Sequence, residues 1–111
     1  MQEFAESTTG PLSSNGIEAG AFVRTRPDLS MPDLQYQFCP LYLSVTSSDF
    51  HEGHGFTIFP GILHPQSRGS LSLRSTNPFE PPIIQPNCLA HDADTQVLVA
   101  GLKLARRLGE A

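Results

Sequence analysis

Positive charge is scarce in this sequence. Seven lysines and arginines stand against eleven aspartates and glutamates, a formal net charge of −4 over 111 residues. Nucleic-acid binding begins with a basic face that displaces counterions, and here the basic residues do not cluster beyond Arg106-Arg107. Charged residues of both signs make up only 16% of the chain, below the usual quarter or so. Long apolar runs are missing too, and none approaches the roughly 20 residues that span a bilayer. The opening MQEFAESTTG has neither a basic stretch nor an apolar core, so it is not expected to act as a signal peptide. Cysteine is limited to Cys39 and Cys88, far apart in sequence. Two free, inert thiols and a cytoplasmic setting are the expectation.

Chemical signatures are equally sparse. Neither G-x-x-x-x-G-K-[ST] nor G-x-G-x-x-G occurs, and no G-x-S-x-G places a serine nucleophile. His51 and His54 flank a Glu-Gly pair, with His64 ten residues beyond. Without nearby thiolates, and with glycines opposing a helix, that spacing reads as surface histidines rather than a zinc site.

What is abundant is punctuation. Ten prolines and nine glycines divide the chain into short segments and leave little room for long helices. Residues 1–16 read as an extended lead-in, and residues 17–111 as the domain proper. Ile17–Thr25 and Phe56–Leu63 read as strands, the second with a bulge or break at Pro60-Gly61. Leu34–Cys39 alternates cleanly, with Leu34, Tyr36 and Phe38 facing one way and Gln35, Gln37 and Cys39 the other. The stretch HPQSRGSLSLRS reads in two ways. Ser67-Arg68-Gly69-Ser70 resembles an anion-binding turn, but Leu71 and Leu73 then alternate as a half-buried strand, and no helix dipole follows. The strand reading prevails. A short edge segment follows at Ile83–Pro86.

The one convincing helix is C-terminal. Asp92 is the expected N-cap, and Asp94 adds negative charge to the first turn. Val97, Leu98, Gly101, Leu102, Ala105 and Leu108 form the apolar face. Lys103, Arg106 and Arg107 suit the C-terminal end, and Gly109 closes it. Antiparallel strands with one C-terminal helix make an α+β arrangement. Glu18, inside an apolar strand pattern, either faces water or serves as a pocket carboxylate for a cation, with Tyr36 or Phe59 as aromatic neighbours. The residues alone thus describe a small α+β domain without a complete active site.

Three ordered segments carry a resemblance that reaches further: GPLSSNGIEAGAFVRTRPDLSMPDLQYQF, HGFTIFPGILHPQSRGSLSLRSTNP and PPIIQPNCLAHDADTQVLVAGLKLARRLGEA. Together they resemble the glucose–methanol–choline (GMC) flavoprotein oxidoreductases, most of all the choline-dehydrogenase-like alcohol dehydrogenases. The resemblance implies a partial substrate-binding domain, with the FAD-binding domain and the segment bearing the catalytic histidine elsewhere in a parent chain. It implies a small alcohol as substrate, FAD as the parent's cofactor, and no catalytic residue on this chain. Glu18 matches the place where choline-oxidising relatives keep a carboxylate facing the trimethylammonium group. Gln37 stands in QYQF where a QYHF-like motif has histidine, and Phe59 replaces another frequent histidine. Both departures make the pocket less basic and more apolar. Arg68 is expected to be structural, pairing a carboxylate or backbone carbonyls. The isolated chain is expected to bind no FAD, and its docking faces would be open to self-association. The alternative from another class is a stand-alone, non-catalytic α+β binding module derived from that domain.

Overall fold

The computed structural model describes residues 6–9, 13–43 and 55–111. His51 and His54, and part of the 1–16 lead-in, lie outside those residues. Five strands and one long helix follow in order: β1 (Ala19–Val23), β2 (Leu34–Cys39), β3 (Thr57–Ile62), β4 (Ser70–Ser72), β5 (Ile83–Gln85) and α1 (Asp92–Gly109). The strands β1, β2 and β3 form an antiparallel sheet with β2 in the centre, and β4 pairs with β5 in a separate antiparallel ribbon. The fold is α+β, as expected.

The period-2 pattern of β2 organises the core. Leu34 and Tyr36 are buried on the face that meets α1. Gly101 of α1 is buried so close to that face that an added Cβ would come within 2.8 Å of the Leu34 side chain and 3.3 Å of Pro60. Tyr36 Oη reaches across the same contact and donates 2.6 Å to the Gly101 carbonyl; burial raises its phenol pKa. Phe38 and Phe56 stack at a tilt, with ring centroids 5.6 Å apart. The helix lies mainly over β3 and touches β2 only lightly, so β1 stays uncovered on this side.

Several local expectations shift. The strand β3 runs unbroken through Pro60-Gly61, because β3 has a neighbour on one side only and an edge strand tolerates a missing donor. The helix is capped by His91 rather than Asp92; the His91 ring accepts from the Ala93 amide at 3.3 Å. Gly109 is the last helical residue and Glu110 forms the cap. Leu102 and Leu108 are exposed, while Leu104 takes a half-buried place on the inner face. On α1 the inward positions are Val97, Leu98, Gly101 and Leu104, with Gly101 against Leu34 and Pro60.

The largest correction concerns Leu71 and Leu73, which are 70% and 82% exposed. Alternation predicts a buried face only if a second layer exists to cover it. Among the described residues neither β4 nor β5 packs on any other element. The ribbon does explain Gly69. A Cβ there would overlap the carbonyl oxygens of Gln85 and Pro86, which are backbone and cannot step aside. Gly69→Ala is therefore expected to open the ribbon, with amide exchange in Ser70–Ser72 about tenfold faster or more, measured by NMR; unchanged protection would show that the strands part from Gly69 without loss.

Candidate functional site

Helix α1 packs on one side of the three-stranded sheet, and among the described residues no other helix or strand packs on the second side, where Cys39 alone is buried. Antiparallel partners share a face, so the registers Gly20↔Gln37↔Phe59 and Phe22↔Gln35↔Gly61 define the open side. Gln37 is exposed, Gln35 and Phe59 are half-buried, and Phe22 is 64% exposed. Between them lies a groove of about 180 Å³ lined by Gln35, Gln37, Phe59, Pro60 and Gly61. Its side-chain walls are two amides and one aromatic ring; Pro60, whose ring packs toward Gly101, and Gly61 complete the lining. No charged side chain lines it.

The residues singled out from sequence divide here. Gln37 and Phe59 come together, directly opposite each other across β2 and β3. Glu18 does not join them. It stands one residue ahead of β1, exposed, and its amide donates 3.1 Å to Phe38 O, the carbonyl of the residue facing Ala19. The ladder is irregular at that point, and Glu18 is not part of the groove lining. Tyr36 faces the helix and so offers no aromatic partner on the Glu18–Phe59 side. Cys39 is a buried free thiol and Cys88 an exposed one.

The SRG motif turns out to be a buckle. Asp94, only 3% exposed, accepts from the Gln66 amide at 2.7 Å through Oδ1, and from the Ser67 amide at 2.8 Å and the Ser67 hydroxyl through Oδ2. Ser67 Oγ also accepts from the His91 amide at 3.1 Å. The Gln66 amide first, then the Ser67 hydroxyl, hold the Asp94 carboxyl below its ordinary pKa. Arg68 folds back onto the carbonyls of Pro65 and Ser67 at 2.7 and 2.9 Å, the structural role expected of it. Every group that an anion would use at Ser67 is already engaged by Asp94. Periodicity placed Asp94 in the first turn of a helix but gave no sign that its oxygens reach back 27 residues.

A second carboxylate works the same way near the same end of the sheet. Asp33 accepts from the Thr25 amide at 2.8 Å and from the Thr25 hydroxyl, closing the β1–β2 connection. Burial pushes its pKa up, and the Thr25 bonds more than offset that, leaving it lowered. A hollow of about 250 Å³ includes both Asp33 and Asp94 with Arg26 and His64 in its wall, but these carboxylates are spent on backbone and hydroxyl donors. Among the described residues no group of histidines, cysteines and carboxylates is arranged to hold a metal, and no helix is long and apolar enough to cross a membrane.

Comparison with known proteins gives this geometry a family. The family model described as GMC oxidoreductase matches residues 65–111, which contain the SRG buckle, the ribbon and α1. The alcohol dehydrogenase [acceptor] of Pseudomonas putida is 38% identical over 102 residues, covering 92% of this chain and 18% of that protein. An oxygen-dependent choline dehydrogenase of Pseudomonas fluorescens is 36% identical over 106 residues, 96% of this chain and 19% of its own length. A GMC-type oxidoreductase of Mycobacterium tuberculosis is 38% identical over 104 residues, 92% and 20% respectively. The chain thus spans about a fifth of the length of the curated relatives it matches. By its matched segment and its relatives, the chain belongs to the GMC oxidoreductase family.

Proposed function

We propose that this chain is the substrate-facing portion of an FAD-dependent enzyme that oxidises an alcohol, and that its open sheet face forms one wall of the substrate pocket. The observation that carries this reading is the helix-free face on which Gln37 and Phe59 meet in an uncharged groove. The names of the relatives, an alcohol dehydrogenase and a choline dehydrogenase, support the reaction class. Residues 17–111 act as part of the substrate-binding domain, preceded by the 1–16 lead-in.

FAD does not fit the residues described. Its pyrophosphate calls for free amides at a helix N-terminus or in a glycine-rich turn. The N-terminus of α1 is instead closed by the His91 ring and flanked by the buried negative charge of Asp94. In this reading the flavin site and the catalytic base belong to the rest of the parent protein, and no described residue is assigned a catalytic role. The stand-alone binding module is disfavoured by the apolar surface. Leu71, Leu73, Phe79 and Ile84 are between 60% and 93% exposed, a patch that asks for a partner layer. The FAD-binding domain of the same parent chain is the natural cover, with self-association as the consequence of its absence.

The isolated chain is expected to purify without flavin absorbance and to oxidise no alcohol. The complete gene product containing it is expected to carry flavin and to reduce an artificial acceptor with alcohols. Near-stoichiometric flavin on the isolated chain overturns the division of labour. A flavin-loaded complete protein that is idle with every alcohol overturns the function.

A further inference from the structure

We propose that the groove over Gln37 and Phe59 takes an uncharged alcohol with an apolar chain, and that these two side chains, rather than a carboxylate, select it. This inference rests on the substrate-facing role proposed above for the open sheet face.

A quaternary ammonium head group leaves water only where a carboxylate touches it or aromatic faces surround it. The groove supplies neither. Its lining is Gln35, Gln37, Phe59, Pro60 and Gly61; one ring is not a cage, and Glu18 lies off the groove ahead of β1. The two glutamines offer something different. Among the described residues neither side-chain amide has a protein hydrogen-bond partner, and each presents both a donor and an acceptor. A hydroxyl, itself donor and acceptor, satisfies that pair. Phe59 then forms an apolar wall beside it, and Gly61, facing Gln35 across the ladder, leaves that end of the groove without a side chain. The arrangement binds one polar atom and rewards each methylene that follows it.

The test uses the flavin-loaded complete gene product and compares straight-chain primary alcohols with choline. The kcat/KM is expected to climb with chain length and to exceed that for choline by about tenfold or more. Phe59→Ala is expected to flatten the chain-length series, while Phe59→Leu, which keeps an apolar wall, preserves most of it. Gln37→Leu is expected to lower kcat/KM by about tenfold for every alcohol while leaving the slope with chain length intact. A clear preference for choline overturns this inference and leaves alcohol oxidation standing. A steep series that Phe59→Ala and Gln37→Leu both leave untouched removes the groove from the binding site. Turnover of no alcohol at all overturns the proposed function itself.

Discussion

Leu34→Ala is expected to abolish cooperative unfolding of this chain. Among the described residues the buried apolar core is Leu34, Tyr36 and Cys39, and Leu34 has no exposed surface. It sits at the point where β2 pairs with both β1 and β3, opposite Val23 and Ile62, and beneath Gly101 of α1. Truncation removes a fully buried side chain at which all of these elements meet, beside Tyr36, which bonds the same glycine. Large-to-small changes at such sites cost about 3 kcal/mol, within a range of roughly 2–5. Against the marginal stability of a small domain, and with a core this thin, that loss leaves little to unfold. Urea titration followed by circular dichroism provides the measurement. Leu34→Met, which conserves volume, is expected to retain the transition. A wild-type-like midpoint for the alanine variant would mean that the helix–sheet contact is held elsewhere.

Asp94→Asn is expected to be the most damaging isosteric change on the chain. The carboxylate accepts with both oxygens, from two amides and a hydroxyl of Gln66 and Ser67. An asparagine must turn its NH₂ toward one of these donors, leaving donor against donor where solvent has little access. A fall in Tm of about 10 °C is expected, with the SRG segment separating from the N-terminus of α1. The pH dependence has a definite sign. Because the folded-state pKa of Asp94 is lowered, its contribution is fully present above the unfolded aspartate value, about 3.9. It disappears as pH falls through the folded value. Asp33, lowered through Thr25, acts in the same window. Thermal scans from about pH 6 down to about pH 2.5 should therefore show a steep acid limb in the wild type. Asp94→Asn should flatten that limb to the share left by Asp33. An unchanged limb would assign acid sensitivity to other groups.

The two carboxylates illustrate where sequence reading stops. Asp94 and Asp33 both sit at places where a polar residue is unremarkable, a helix start and a loop end. Their importance comes from donors 27 and 8 residues away in sequence, distances that no periodicity registers. The same limit governs Leu71 and Leu73. Their alternation is a sound sign of a strand, and β4 is a strand, but alternation names the face to be buried without supplying what buries it. Glu18 fails to join Gln37 and Phe59 for a similar reason. Alternation along β1 cannot fix its place, because Glu18 stands just ahead of the strand, where its amide bonds Phe38 O.

Local rules with short reach were legible from the residues alone. The alternation of β2, the turns at Pro and Gly, and the C-terminal helix with its acidic start and basic end all depend on contacts within a few positions. The ordered motifs carried the family, and no glycine-rich nucleotide-binding loop occurs among them. Tertiary structure decided the rest. It set which sheet face the helix covers, so that Gln37 and Phe59 share an open groove while Tyr36 turns inward. It also made the SRG motif a buckle to Asp94 instead of an anion site. Those outcomes depend on how separate elements are rotated and registered against one another, and long-range packing, not local propensity, fixes that choice.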